Sequence, residues 1–226
     1  MSLVVRSTLA EQAYEALKSR IISGALPAGQ RLRAEELADS LAISQTPVKE
    51  ALALLERDGL VEGASRRGST VRRFSLADIE EIYAARTLLE LNAAESGLAN
   101  GRADRQFVRD LRAIFDEQMT FVEMQTEGAL FDAIRLDREF HELIVGLAQN
   151  RIIAGWHRMV LRQTQTIRNY PLVRYDVGRT RREHSAIVEA FASGRHEAVI
   201  DALSGHLAAS RDEFVSRPPE EWPVRP

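Results

Sequence analysis

The sequence predicts a mostly helical protein with an N-terminal winged helix-turn-helix and a C-terminal antiparallel bundle of about six helices. Two observations predict this architecture. Between Ala34 and Val71, two short helical segments flank a tight turn and are followed by a basic hairpin. Beyond Phe74, amphipathic helical segments follow one another, and short stretches containing Gly, Asn or Pro separate them.

Length and composition restrict the possible classes of protein. A chain of 226 residues has room for two domains, each with its own core. The absence of cysteine excludes a disulfide framework and a thiolate zinc site, and it fits a reducing compartment. No apolar run approaches the roughly 18 residues that span a membrane. We therefore expect a cytoplasmic protein with no membrane partner.

The first helix is predicted to begin after Thr8, which forms a Thr-x-x-Glu capping box with Glu11. Its apolar positions follow helical spacing and are Leu9, Ala13, Leu17 and Ile21. A second helix is expected over 34–41. Ser44 is placed to cap a third helix that Gly59 ends, and Pro47 falls in its first turn, where a missing N–H is tolerated. Strands over 60–62 and 69–72 complete the wing.

The third helix is the candidate for DNA recognition. In a helix-turn-helix the N-terminal end of the second helix of the motif enters the major groove, and an arginine-rich hairpin tip suits a neighbouring minor groove. Glutamine can pair with adenine, and lysine can reach guanine. The predicted DNA-binding residues are Ser44, Gln45, Thr46, Lys49, Arg66, Arg67 and Gly68. The alternative is a small helical subdomain with a solvated basic hairpin.

An ordered series of residues runs through this region: Arg31-Leu32, Glu36-Leu37-Ala38, Ser44-x-Thr46-Pro47-Val48-x-Glu50-Ala51-Leu52, Leu55, Gly59-Leu60-Val61 and Gly68. With it, residues 8–74 resemble the GntR family of bacterial transcription regulators. The resemblance implies contacts with operator DNA at Gln45 and Lys49. The family usually has arginine at both positions, so the resemblance implies DNA binding but does not indicate which bases are read here.

The remainder of the chain is predicted to be helical up to the Pro-rich end. The expected helices run from about 75 to 98, 103 to 125, 128 to 149, 151 to 168, 177 to 192 and 195 to 214. We therefore divide the chain into a DNA-binding domain (1–74), a helical domain (75–215) and a mobile tail (216–226), since four prolines exclude a helix in that tail.

Four polar residues fall on apolar faces of the predicted bundle. Asp137 and His141 are i, i+4 neighbours on one helix. His184 and His206 lie about 10 and 12 residues from the turn that joins the last two helices, roughly 15 and 18 Å from it, so they should meet at the same level. Three imidazoles and a carboxylate predict a site for zinc, nickel, manganese or iron.

The alternative to a metal site is that each histidine is a singly hydrogen-bonded core residue and that Asp137 pairs with an arginine such as Arg86. Two further histidines fit the predicted site less well. His157 lies at the edge of its helical stripe, and His196 is too close to the end of the bundle.

A second series of residues lies in the helical part: Ile82-Tyr83-x-x-Arg86-x-x-x-Glu90, Asp137-x-x-Phe140-His141, Asn150, Glu183-His184-x-x-Ile187 and His206. Residues 75–214 with this series resemble the FCD domain, the ligand-binding domain of the FadR-type branch of the same family. The resemblance implies metal binding by the Asp-x-x-x-His pair and the two later histidines. It also implies small organic acids as effectors, bound by the metal and by arginines.

Arg86 shares an apolar stripe with Ile79 and Tyr83, so a buried carboxylate clamp is predicted there, unless Arg86 instead forms a salt bridge to Glu90 or Asp137. Arg162 is the second effector-binding candidate. The predicted function is a dimeric, ligand-responsive repressor that binds double-stranded operator DNA and is not an enzyme. Two alternatives stay open, a metal-dependent enzyme and a regulator with a purely structural metal.

Overall fold

The computed structural model describes residues 7–63, 68–124, 126–168 and 176–216, and these ranges contain nine helices and three short strands. The mostly helical fold predicted from the sequence is confirmed. Every helix in the described ranges is too short or too polar to cross a membrane. The described residues form two compact units, the first comprising 7–75 with 162–168, and the second comprising 76–161 with 176–216. The predicted tail lies, from residue 217 onward, outside the described residues.

The first unit has the order of elements of a winged helix-turn-helix: α1 (Leu9–Ile22), β1 (Arg31–Leu32), α2 (Ala34–Leu41), α3 (Gln45–Arg57), β2 (Val61–Glu62) and β3 (Ser69–Val71). The capping box of α1 is present, with the Thr8 hydroxyl accepting from the Glu11 backbone and the Glu11 carboxylate accepting from the Thr8 backbone. Ala42 adopts a left-handed conformation, φ 54°, and makes the turn between α2 and α3.

The core of the first unit lies between α1 and α3, and the three-stranded sheet closes it. Leu17, Val48 and Leu55 are fully buried there. The strand order is β1-β3-β2, with both pairs antiparallel and Thr70 opposite Arg31 on one side and Glu62 on the other. The strand β1 was not predicted, because two residues are too few for a recognisable alternating pattern.

Two details of the predicted helix ends were wrong. Leu9 is 54% exposed, because the buried side of α1 begins one turn later, at Ala13. Ser44 does occupy the N-cap position of α3, but its side chain makes no capping hydrogen bond. Pro47 explains this difference. It stands at the third helical position, whose N–H a capping side chain commonly binds, and proline has no N–H to donate.

The second unit is a helical bundle of α4 (Leu76–Ala99), α5 (Arg105–Met124), α6 (Glu127–Gly146), the first part of α7 (Arg151–Arg168), α8 (Val177–Ser193) and α9 (His196–Val215). The helix α4 packs against α6 and α9, while α5 packs against α6 and α8. A turn at Gly194, φ 66°, joins α8 to α9, and these two helices also pack together. Aromatic and aliphatic side chains such as Phe107, Phe140 and Phe191 fill the interior.

Candidate functional site

The bundle brings together the three histidines that were predicted to bind a metal. His141 on α6, His184 on α8 and His206 on α9 are all buried, and each offers one ring nitrogen within 4.8 Å of the others. Asp137 lies one turn before His141, and its Oδ1 is 3.5 Å from the Nε2 of His184. The turn at Gly194 makes α8 and α9 antiparallel neighbours, and this places two of the histidines at one level.

A side-chain oxygen from another helix faces the Nδ1 atom of each histidine at hydrogen-bond distance. The three distances are 2.7 Å for His141, 2.8 Å for His184 and 2.8 Å for His206. The oxygens belong, in the same order, to Glu90, Gln118 and Glu183. Such outer partners fix the orientation and the tautomer of a histidine that binds a metal.

The tautomers follow from these partners. The amide nitrogen of Gln118 donates to the carbonyl of Ala133 at 3.3 Å, so its oxygen is the atom that faces His184. Glu90 and Glu183 present carboxylate oxygens, which accept hydrogen bonds. We therefore expect each ring to carry a proton on Nδ1, which leaves Nε2 to face the cluster.

The distance between two of the Nε2 atoms decides what the cluster can bind. Those of His141 and His206 are 3.3 Å apart. Two lone pairs that face each other at this distance require a shared cation, either a proton or a metal ion. Nitrogens bound at about 2.0–2.1 Å to a tetrahedral zinc ion are themselves roughly 3.3–3.4 Å apart. The spacing of the two rings therefore fits a metal ion.

A buried charge network adjoins the cluster through Glu90. Its Oε1 accepts from Arg86 Nε at 2.9 Å and lies 3.0 Å from His157 Nε2, while its Oε2 faces His141. Burial opposes ionisation of this carboxyl, but Arg86 and the two histidines outweigh it and hold the pKa of Glu90 well below its usual range. Glu90 is therefore a carboxylate that serves three partners.

Arg86 remains the stronger of the two predicted effector-binding residues. Its side chain is fully buried, and its two terminal nitrogens have no hydrogen-bond partner among the described residues. The bond to Glu90 uses Nε alone. A buried guanidinium with unused donors suits a carboxylate, which accepts two parallel hydrogen bonds.

Arg162 has a different place from the one predicted. Its Nη2 lies 2.9 Å from Oδ1 of Asp58, the C-cap residue of α3, and the Tyr14 hydroxyl donates to the other oxygen of that carboxylate. The amide of Gln163 donates to the Asp58 carbonyl at 3.1 Å. Burial and the hydrogen bond to Asp58 raise the pKa of Tyr14 above its usual range. Arg162 therefore holds the end of α3, and its role as an effector-binding residue stays a prediction.

Replacing Arg162 with alanine should lower the free energy of unfolding by about 1–3 kcal/mol, since Asp58 is buried and would lose a charged partner. Denaturant unfolding measures this loss. Arg158→Ala is the matched control, because Arg158 is exposed on the same helix one turn earlier. Equal unfolding midpoints for the two variants would contradict the role given to Arg162.

The predicted DNA-reading residues of the helix are accessible. Ser44, Gln45, Thr46 and Lys49 are all exposed at the start of α3, whereas Val48 between them is fully buried. Because the Ser44 side chain makes no capping bond, its hydroxyl is available at the positive end of a helix, where phosphate binds favourably.

The wing is described only in part. Gly68 is exposed with φ 93°, a conformation that favours glycine, and leads into β3. Arg31 on β1 lies beside it, since a Cβ built on Gly68 would be 3.3 Å from the Arg31 Nε. The two predicted minor-groove arginines, Arg66 and Arg67, lie outside the described residues.

Comparison with protein families identifies both units. Residues 9–71 match the family described as bacterial regulatory proteins, gntR family, and residues 81–209 match the FCD domain. The chain belongs to the GntR regulators that carry an FCD domain. Its family contains transcription regulators and not enzymes, so the metalloenzyme alternative is rejected.

Known GntR regulators resemble the chain in sequence and in fold. The HTH-type transcriptional regulator YdhC of Bacillus subtilis is 35% identical over 140 residues, which span 62% of this chain and 61% of YdhC. A probable D-xylose utilization operon transcriptional repressor of Paenarthrobacter nicotinovorans is 29% identical over 91% of this chain and 88% of its own length. The crystal structure of a putative GntR regulator from Rhodococcus sp. RHA1 shares the fold, with a TM-score of 0.76 at 24% identity over 94% of this chain and all of that one.

Sequence reasoning missed two residues around the histidine cluster of this GntR regulator. Gln118 is buried in the middle of α5, and His157 is buried on α7, although the edge of the stripe had argued against it. For Gln118 the available signal was a long amide among apolar neighbours, Phe115, Met119 and Val122. For His157 the sequence offered no comparable signal, because its partner Glu90 is 67 residues away in the chain.

Proposed function

We propose that this chain is a ligand-responsive DNA-binding repressor whose bundle binds a divalent metal ion and a small carboxylate. The metal ligands would be Asp137, His141, His184 and His206, and Arg86 would bind the carboxylate. The single observation that carries the proposal is the 3.3 Å separation of two Nε2 atoms whose rings are fixed through Nδ1. A shared proton would explain this pair alone, whereas the convergence of a third imidazole and of Asp137 on it favours a metal ion.

The ligand set indicates the class of ion. Three imidazole nitrogens and one carboxylate oxygen suit zinc, nickel, manganese or iron, and the absence of thiolate argues against softer ions. When bound, such an ion offers an open coordination position to a carboxylate oxygen of the effector. Glu90, Gln118 and Glu183 would orient the three imidazole rings toward the ion, and burial of the rings would keep bulk water away from it.

Arg86 supplies the second half of acid recognition. Its charge is buried, and Glu90 occupies only Nε, so both terminal nitrogens can donate to an incoming carboxylate. A buried donor without a partner costs about 1–3 kcal/mol, and a bound acid would remove that cost. Binding of the acid would change operator affinity only if it favours one of two arrangements of the DNA-binding domains.

Operator binding is proposed to involve a homodimer in the cytoplasm. Two copies would place their α3 helices in successive major grooves, about one helical turn apart, on a site with approximate two-fold symmetry. Repression is the proposed direction, and it is consistent with the repressor from Paenarthrobacter nicotinovorans that aligns along most of this chain.

Thermal unfolding against a panel of small mono- and dicarboxylates tests the sensor. We expect a chelator-sensitive midpoint that one class of acid raises. Arg86→Gln should weaken the binding of that acid about 10- to 100-fold, which corresponds to the loss of one or two charge-assisted hydrogen bonds. Arg109→Gln, an exposed position on α5, is the control and should retain the wild-type response.

The same measurements distinguish the alternatives that the sequence left open. Sensitivity to chelator without a response to any acid would support a purely structural metal. No response to either would contradict both parts of the sensor and leave the histidines as core residues. An acid that binds without changing affinity for operator DNA, measured by fluorescence anisotropy, would contradict ligand-responsive regulation.

A further inference from the structure

Glu90 is the residue through which the proposed metal site and the proposed acid site meet. One oxygen faces a metal ligand, with 2.7 Å between Oε2 and His141 Nδ1. The other accepts from the acid clamp, with 2.9 Å between Oε1 and Arg86 Nε. All three side chains are fully buried, so water does not screen these interactions.

The terminal nitrogens of Arg86 have no partner among the described residues, so Glu90 alone offsets the charge of Arg86. The same negative charge strengthens His141 as a ligand, because a carboxylate on Nδ1–H makes Nε2 a better electron donor. The two demands compete for one carboxylate. An anion that binds the terminal nitrogens of Arg86 offsets part of the charge of Arg86. More of the negative charge of Glu90 then acts on His141.

We propose that Glu90 couples the two sites, so that a carboxylate bound to Arg86 raises the affinity of the histidine cluster for metal. This inference rests on the proposed function. By thermodynamic reciprocity, the bound metal raises the affinity for the acid by the same factor. Glu90 is thus a positioning residue, which touches neither ligand and acts through Arg86 and His141.

Glu183 provides a matched control within the chain. It holds the Nδ1 of His206 at 2.8 Å, as Glu90 holds that of His141, but it lies on α8 and pairs with Arg179 rather than with Arg86. The same replacement, Glu→Gln, removes one negative charge from behind a metal ligand in both cases. Only the replacement at Glu90 also removes the partner of the acid clamp.

The experiment measures the zinc affinity of the chelator-treated full-length protein by competition with a chromophoric chelator, with and without acetate. In the wild type, acetate should raise zinc affinity, within the roughly 5- to 150-fold range that is usual for coupled sites. Both Glu90→Gln and Glu183→Gln should lower zinc affinity about 10- to 100-fold. Acetate enhancement should be several-fold smaller in Glu90→Gln than in the wild type, because only direct coordination of acetate to the metal still couples the sites, and it should stay at the wild-type factor in Glu183→Gln.

A second readout separates coupling from a merely structural role. In the metal-free protein, Glu90→Gln should bind acetate more tightly than the wild type, because Arg86 has lost the counter-charge that Glu90 provides, whereas a structural defect would weaken acetate binding. If the single variant does not fold, the charge-balanced pair Arg86→Gln/Glu90→Gln is compared with Arg86→Gln alone. The pair should bind zinc about tenfold more weakly than the single variant.

The outcomes that contradict the coupling differ from those that contradict the proposed function. An unchanged acetate enhancement in Glu90→Gln, or equal zinc affinities for Arg86→Gln and the double variant, would overturn the role of Glu90 alone. A wild-type protein that binds neither zinc nor acetate would overturn the sensor and the coupling together.

Discussion

Replacing His206 with alanine is expected to abolish the stabilisation that a divalent metal gives to this protein. A ligand present at 100 times its Kd stabilises the folded state by about 2.7 kcal/mol, which corresponds to roughly 5–10 °C in Tm for a chain of this length. The wild type should lose that increment when a chelator is added. His206→Ala should show nearly the same Tm with and without chelator, since the two remaining imidazoles and Asp137 would bind the ion too weakly to stay saturated at the same metal concentration. Differential scanning calorimetry measures both.

His196→Ala is the matched control, because His196 begins the same helix and is exposed. It should keep the full response to chelator. The comparison uses the change in Tm caused by the chelator rather than the Tm itself, so a packing defect in the variant does not affect the result. A response that survives in His206→Ala would show that the metal binds elsewhere. A wild type that does not respond would support hydrogen-bonded core histidines instead.

Several parts of the fold were predictable because local signals agree with packing. The helix α2 has the predicted bounds, Ala34–Leu41, and the α1 capping box is present. The rise of 1.5 Å per residue was enough to place His184 and His206 at one level, because both lie on helices that meet at the Gly194 turn. Spacing along a helix and distance from a turn can be obtained by counting residues in the sequence.

The surroundings of the cluster were less predictable, because they depend on rotations and packing between helices distant in sequence. Gln118 is 66 residues from His184 in the chain, and Glu90 is 51 from His141. Nothing in either helix alone specifies the partner. The partner of Arg162 was equally unpredictable from sequence. The sequence did not decide which face of α7 carries Arg162, and the final turns of α7 group with the first unit, where Asp58 provides a buried carboxylate.

The hydrogen-bond partners of the three histidines indicate a metal site as strongly as the histidines themselves do. Three histidines in a core could each be satisfied by one neighbour. Here each neighbour occupies the nitrogen that points away from the cluster, and the nitrogens that remain converge. Of the three outer groups, two are carboxylates and one is an amide. The charged pair increases the donor strength of His141 and His206, whereas the amide mainly orients His184.

Replacing Lys49 or Gln45 with alanine is expected to weaken operator binding by about 1–3 kcal/mol each, or roughly 5- to 150-fold, if the side chain contacts a base edge. Both residues are exposed in the first two turns of α3, while Val48 and Leu55 on its opposite side are fully buried, so this helix can present only one face to DNA. Operator fragments selected by the protein from a random duplex pool provide the ligand, and fluorescence anisotropy at fixed salt gives the affinities.

Arg57→Ala separates specific contacts from general electrostatics. Arg57 is an exposed cation at the last position of the same helix, about two turns from Lys49. Loss of any single charge weakens nonspecific binding slightly and lowers the dependence on salt. A base contact instead changes which sequence is preferred at one position, so a pool selected with Gln45→Ala should show relaxed preference there, and a pool selected with Arg57→Ala should not. Equal effects of Lys49→Ala and Arg57→Ala on every duplex would mean that Lys49 does not read a base, and an unchanged preference in the Gln45→Ala pool would mean the same for Gln45.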